Sequence, residues 1–217
     1  MVLVAALLHR PPPRPSVDAS LHIWVLFSTL IVLGASATLF PHICGRAAVR
    51  AEALDPSRTS TLLGVRAVHG HHPLCGGFQG HELAIGGKTF CAGCVGLLAG
   101  AASALVGATL HFVYGFTYPP PAPYIGLGLV ALGLIHVPAL RTNRPILRSF
   151  LNAGFVTGFA LILVGANEVG GPGLALMVIG MNIFWMFTRV QLSNWDHEKI
   201  CLSCGYRCLA EKRGPDA

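Results

Sequence analysis

The chain has 217 residues, of which 53% are hydrophobic and only 11% are charged. Because soluble domains carry about 25% charged residues, this composition excludes an ordinary soluble domain and indicates a membrane protein whose partner is the lipid bilayer. The formal net charge is +6, and the basic residues lie in the segments between apolar runs and do not form a basic domain. No nucleic-acid partner is therefore predicted, and no protein partner is indicated.

Five apolar runs approach the length of about 20 residues that a bilayer core requires. The predicted spans are 22–40, 95–116, 122–140, 150–166 and 171–188. Residues 1–21 are predicted to form a flexible tail, because "HRPPPRP" breaks a helix. The predicted fold is all-α: a polytopic membrane protein with a transmembrane domain over 22–188, a Cys/His-rich loop over 41–94 and a Cys-rich tail over 189–217.

The distribution of Lys and Arg predicts the orientation, because these residues are retained on the cytoplasmic side of short loops. Thirteen of the fifteen fall on the side that holds the loop 41–94, the "RTNRPILR" connection and the tail. Only Arg10 and Arg14 fall on the other side. The prediction is a multi-pass protein of the cell membrane with its N-terminus outside and its C-terminus cytoplasmic.

A cleaved signal peptide is the alternative interpretation of the first apolar run, with Ala35, Ser36 and Ala37 as the small-residue cleavage pattern. Cleavage would move the long loop and the tail, with their basic residues, to the outside. The charge distribution and the long segment before His22 disfavour it.

All seven cysteines fall on the predicted cytoplasmic side, and none lies within a predicted span. In a reducing compartment, such cysteines are metal ligands or redox-active thiols more often than structural disulfides. They are Cys44, Cys75, Cys91, Cys94, Cys201, Cys204 and Cys208.

Two Cys-x-x-Cys patterns carry the strongest chemical signal, "CAGCVG" from Cys91 and "CLSCG" from Cys201. Each pattern lets two thiolates reach one tetrahedral ion, and the nearby glycine allows a tight backbone turn. One pair precedes the second predicted span and the other follows the fifth. We therefore predict one zinc site, formed by Cys91, Cys94, Cys201 and Cys204, that ties the tail to the first loop.

Further candidate ligands surround these pairs. Cys75, Cys208 and His81 are included in the predicted metal site. The stretch "CLSCGYRC", which ends in Cys208, presents three cysteines together, and this spacing suits an iron–sulfur cluster as well as zinc. On their own, the loop histidines also fit an exposed polar loop. Cys44 fits a small buried apolar residue or a palmitoylation site.

The stretch "HPLCGGFQGHELAIGGKTFCAGCVGLLAG" resembles the signature of a group of small prokaryotic polytopic membrane proteins of unknown function. Their signature is a Cys and a His, a Gly-rich link, and a C-A-x-C-x-G stretch that runs into a transmembrane helix. Members commonly carry Arg between the two cysteines, where this chain has Gly93. The resemblance implies a polytopic membrane protein and no known reaction.

Polar and small residues within the predicted spans have structural interpretations. Asn152 and Asn182 are predicted to hydrogen-bond between helices, and two small-xxx-small pairs are predicted to allow close helix contact. The pairs are Gly96 with Gly100 and Gly154 with Gly158.

Histidines at the span ends leave two interpretations open. His22, His111 and Glu168 lie at similar predicted depth near the outer face, where they fit either interfacial side chains or a small outer polar site. His136 is predicted near the inner end of the third span, where it could face the cysteines.

Sequence signatures of catalysis are missing: the chain has no nucleophile elbow, Walker A loop, dinucleotide fingerprint, HExxH or CxxCH pattern. The predicted function is an integral membrane protein with a structural zinc site at its cytoplasmic face, and no enzymatic activity is assigned. The alternatives are a membrane thiol or iron–sulfur redox protein and a metal-handling or transport protein.

Overall fold

The computed structural model describes residues 17–39, 59–62, 65–68, 76–139 and 144–203. This part is mostly helical, in agreement with the predicted all-α class. Its helices are α1 (Val17–Leu39), α2 (Ala92–Phe112), α3 (Ala122–Ala139) and α4 (Pro145–Ser203). The helices α1, α2 and α4 are long and apolar enough to cross a membrane, whereas α3 is apolar but shorter. The described chain is therefore compatible with a membrane protein.

A break at Gly171 divides α4 into two helices, α4a over 145–170 and α4b over 172–203. Gly171 has φ 65° and ψ −162°, a backbone conformation that favours glycine. Pro172 then begins α4b, where its missing N–H leaves no helical hydrogen bond unmade. Arg148 contacts Asp196 and Asn152 contacts Arg189, so α4a and α4b lie antiparallel on each other.

Helix α4 lies at the centre of the bundle and contacts α1, α2 and α3. Phe155 and Leu163 on α4a are fully buried in the core. Both predicted small-residue pairs pack closely on a neighbouring helix. A Cβ at Gly100 would meet the Ala153 carbonyl at 2.6 Å, and one at Gly158 would meet the Gly126 carbonyl at 2.7 Å. Glycine therefore sets the distance between α4a and the helices α2 and α3.

Two antiparallel β-hairpins, which the sequence analysis did not predict, lie in the segment between α1 and α2. The first pairs β1 (Thr59–Leu62) with β2 (Val65–Val68), and the second pairs β3 (Glu82–Ile85) with β4 (Lys88–Cys91). Gly86 and Gly87 join β3 to β4 with φ of 57° and 74°. Positive φ at both turn residues is typical of the type I′ turn, and a Gly-Gly pair between two short apolar runs is its sequence signal.

The helices extend beyond the apolar runs that predicted them. Helix α1 begins at Val17, within the predicted tail, α2 begins at Ala92, and α4 continues to Ser203, well past the predicted end of the fifth span at residue 188. Hydropathy identifies only the apolar part of a helix. Helix α4 extends beyond its apolar part through polar residues that pack against the rest of the protein.

Candidate functional site

The first cysteine pair lies at the junction of a strand and a helix. Cys91 is the last residue of β4 and the N-cap of α2, and Cys94 lies in the first turn of α2. Both cysteines are reduced, and a side-chain hydrogen bond joins them. The N-terminus of a helix favours negative charge, which is the charge that the sulfur of a metal-bound cysteine carries.

His81 directly precedes the β3–β4 hairpin, which ends in Cys91. Glu82 is the cross-strand partner of Cys91, and His81 precedes it as the last residue of a short 3-10 helix, Gly76–His81. His81 is 5% exposed, and its ring centroid lies 5.5 Å from that of His197 on α4b. Phe78 packs edge-on against both imidazoles. The residues that precede Cys91 therefore pack directly on the C-terminal part of α4.

Arg148 on α4a connects these segments. Its Nη1 lies 3.1 Å from Nδ1 of His81 and 3.9 Å from Oδ2 of Asp196. Because a guanidinium only donates hydrogen bonds, Nδ1 of His81 accepts here and the proton of the neutral ring lies on Nε2. Arg148 also interacts electrostatically with Cys91. One positive charge thus lies between the thiol, the imidazole and a carboxylate.

A second buried arginine lies next to the first. Arg189 is 8% exposed, donates a hydrogen bond to Oδ1 of Asn152, and lies 5.1 Å above the ring of Phe155. Asn152 in turn donates to the Arg148 carbonyl. A Cβ at Gly93 would meet Nδ2 of Asn152 at 3.6 Å and Sγ of Cys91 at 3.7 Å. The predicted bond of Asn152 between helices is confirmed, and Asn152 joins the two arginines beside Gly93 of the cysteine pair.

His136 lies at the same end of the molecule, within electrostatic range of Arg148 and Arg189. Its Nδ1 is 2.9 Å from the Gly133 carbonyl, which can only accept, so Nδ1 carries the proton. Its Nε2 is buried and has no hydrogen-bond partner among the described residues. Metal-binding histidines commonly donate one ring N–H to a backbone carbonyl in this way. The ring of His136 is therefore held in the way that metal-binding histidines commonly are.

Of the seven predicted ligands, the structure describes the side chains of Cys91, Cys94 and His81, and it brings the two cysteines together through a hydrogen bond. The rest of the set, Cys75, Cys204, Cys208 and the side chain of Cys201, falls outside the described residues; only the backbone of Cys201 is described, in the last turn of α4. Within the part of the chain that the structure describes, no three His, Cys, Asp or Glu side chains converge to hold a metal. Zinc and its iron–sulfur alternative stay predictions.

Sequence reasoning missed the two arginines and Asp196. It counted Arg148 among the residues of a loop and Arg189 among those of the tail, because both lie outside apolar runs. The signal that could have found them is helical spacing: Arg189 and Asp196 are seven residues apart, two turns of a helix, and so lie on one face.

The opposite end of the bundle carries a second polar group. Nδ1 of His111 lies 2.8 Å from the Phe116 carbonyl and 3.6 Å from Oε1 of Glu168, and its Nε2 lies 3.5 Å from Nδ2 of Asn167. The hydroxyl of Tyr118 donates to the backbone, and partial burial raises its pKa. His111 and Glu168 thus come together as the sequence analysis allowed.

His22, the third residue considered for an outer site, lies on α1 at this same end. Two residues later, Nε1 of Trp24 donates to Oγ1 of Thr109 on α2, at 3.1 Å. His22 itself is exposed, as expected for an interfacial side chain.

Comparisons with protein-family models, with curated proteins and with solved structures gave no match. The resemblance to the group of small prokaryotic membrane proteins therefore stays a prediction.

Proposed function

We propose that the chain is a five-span protein of the cell membrane whose cytoplasmic end is held together by a structural zinc site. The two antiparallel halves of α4 supply the fourth and fifth spans of this arrangement. Helix α3 has 18 residues, which at a rise of 1.5 Å per residue cover about 27 Å of a bilayer core about 30 Å thick. The bias of basic residues supports an external N-terminus and a cytoplasmic C-terminus.

The contact between His81 and His197 is the observation that carries the zinc site. It brings the C-terminal part of α4 against the 3-10 helix that leads into the hairpin ending at Cys91. Cys201 follows His197 by four residues, one helical turn, and Cys204 follows Cys201 by three. The two cysteine pairs therefore start from neighbouring points at one end of the bundle, which supports a single site with four thiolates.

The charges near the first pair favour this chemistry. A zinc ion bound by four thiolates carries a net charge of −2, which is costly to bury without opposite charge. Arg148 and Arg189 supply two positive charges next to Cys91 and Asn152. Metal binding would offset the entropy of ordering the tail, which is the role of a structural site.

Zinc content tests the proposal. We expect the full chain, purified in detergent, to hold one zinc ion that is lost from single variants at any of the four positions, Cys91→Ser, Cys94→Ser, Cys201→Ser and Cys204→Ser. Cys44→Ser is the matched control and should keep its zinc. Loss of zinc should also expose the chain near Trp195 to protease. Unchanged zinc content and unchanged protease protection in the four variants would refute the site.

A dithiol redox function is the second candidate, because a hydrogen bond already joins Cys91 to Cys94 at the start of a helix. In this function the two thiols would be oxidised to one disulfide while the disulfide of a partner protein is reduced to two thiols. A structural zinc site has no open position, so its thiols should react slowly with a maleimide until the metal is chelated.

Labelling rates before and after chelation separate the two functions. We expect slow, chelator-dependent labelling of Cys91 and Cys94. Rapid labelling of untreated membranes without release of metal would favour the dithiol function. A brown protein that holds iron would favour the iron–sulfur alternative, and rapid exchange of several zinc ions would favour metal handling.

A further inference from the structure

A cavity of about 200 Å³ lies between α1, α2 and the two halves of α4. Its walls are apolar and include Phe27, Leu30, Leu97, Phe159 and Ile179. Thr38 also lines it, but the Thr38 hydroxyl donates to the Gly34 carbonyl of its own helix. Among the described residues of the wall, Asn182 of α4b supplies the remaining polar side chain.

Asn182 is 8% exposed, and its Oδ1 has no hydrogen-bond partner within the described chain. Oδ1 of Asn182 therefore does not make the predicted hydrogen bond between helices within the described residues, whereas Oδ1 of Asn152 does. A buried amide oxygen without a donor destabilises the fold by about 1 to 3 kcal/mol relative to a paired one. Leucine or methionine would avoid this cost, so the acceptor in an apolar wall points to a ligand that brings a donor.

We propose that this cavity binds a lipid-soluble molecule with a single ring and a hydroxyl group, of the phenol or quinol class. The hydroxyl donates its hydrogen bond to Oδ1 of Asn182, and the ring contacts the apolar wall. A dry cavity of about 150 Å³ accommodates benzene, so this volume holds one ring with small substituents. An ordered water molecule needs two to four polar partners, and among the described wall residues only Asn182 and Thr38 have polar side chains.

The position of α1 gives such a molecule a route from the bilayer. Only 11% of the apolar stretch of α1 is buried within the protein, against 61% for α4. Gly34 lines the cavity, and a Cβ there would meet no atom within 4 Å. The wall formed by α1 is thus thin and loosely packed, and a lipid-soluble ligand can enter beside it.

The test compares two probes that differ by one hydroxyl group, 4-propylphenol and propylbenzene, on the full chain in detergent. Ligand-observed NMR titrations give both affinities. We expect 4-propylphenol to bind about fivefold more tightly, the effect of one net hydrogen bond. Asn182→Leu should abolish this preference and leave the binding of propylbenzene unchanged.

A cavity-filling variant locates the site. Gly34→Leu places a side chain in the cavity and should prevent the binding of both probes. Gly180→Leu is the matched control, because Gly180 is an exposed helical glycine outside the cavity whose added Cβ meets no atom within 4 Å. Equal affinity for the two probes, no binding of either, a preference that survives Asn182→Leu, or unchanged binding to Gly34→Leu would each overturn the proposal.

Discussion

Helices α1 and α4 contain equally apolar stretches, yet they occupy opposite positions in the bundle. In α1, 11% of the apolar stretch is buried within the protein, and in α4 61% is buried. Helix α4 also carries the buried polar residues Asn152, Asn167, Asn182 and Arg189, whereas on the described part of α1 the buried polar group is the Ser28 hydroxyl. Apolar character alone therefore does not identify the helix that organises the protein. The buried asparagine and arginine side chains identify it, because such side chains face the interior of a helix bundle in a membrane.

The largest effect should come from the centre of α4. Phe155 is fully buried, packs on Phe159 and lies under the Arg189 guanidinium. We expect Phe155→Ala to lower the free energy of unfolding by about 3 kcal/mol. This value is the low end of the range for such a cavity, because detergent and not water surrounds the unfolded helices. Denaturant titration in detergent measures it. Phe184→Ala, at a 61% exposed position of the same helix, should change the stability by less than about 0.5 kcal/mol. If Phe155→Ala and Phe184→Ala lost equal stability, α4 would not form the centre of the bundle.

A smaller effect should follow when the buried arginine loses its acceptor. Asn152→Leu leaves the Arg189 guanidinium without the amide oxygen that it contacts. We expect a loss of about 2 kcal/mol, since hydrogen bonds to charged groups contribute more than neutral ones. Asn182→Leu, the matched change on α4b, should cause no loss, because its oxygen has no partner among the described residues. If Asn182→Leu cost as much as Asn152→Leu, the distinction between the two asparagines would fail.

The smallest effect should come from α1. Nε1 of Trp24 donates to Oγ1 of Thr109, which joins α1 to α2. A double-mutant cycle of Trp24→Phe and Thr109→Val should give a coupling of about 0.6 kcal/mol, the average for hydrogen bonds between transmembrane helices. A coupling of about 2 kcal/mol or more, above the largest such values, would make α1 as firmly held as α4 and would remove the basis for ligand entry beside it.

The sequence predicted the helical class because an apolar run long enough to cross a bilayer satisfies its backbone hydrogen bonds there as a helix. It also contained the break in α4: "GGPG" supplies a glycine for the positive φ and a proline that begins the next helix. The β3–β4 hairpin was predictable from Gly86 and Gly87 but was missed, because its strands are only four residues long and hydropathy over span-length windows does not detect them. The close packing at Gly100 and Gly158 was predicted from the spacing of each with a second glycine four residues earlier in the chain.

The environment of the cysteine pair could not be predicted from composition. Whether Arg189 is buried depends on which residues face it across the α4 hairpin, and that register is set by the position of a single turn at Gly171. Asn152 and Asn182 have the same sequence signal, an amide in an apolar run. Only the packing around them distinguishes the one that holds an arginine from the one that lines a cavity.

We expect the turn at Gly171 to affect how the chain enters a bilayer during synthesis. Helix α4b carries Arg189, a charge that would be costly to insert in a separate helix. Because α4a and α4b meet with no loop between them, Asn152 and Phe155 are available to Arg189 as soon as both halves have left the ribosome. We expect the insertion machinery to receive α4 as one preformed hairpin. Lengthening the turn with a flexible linker should then lower the yield of inserted protein, even where the finished fold tolerates the extra residues.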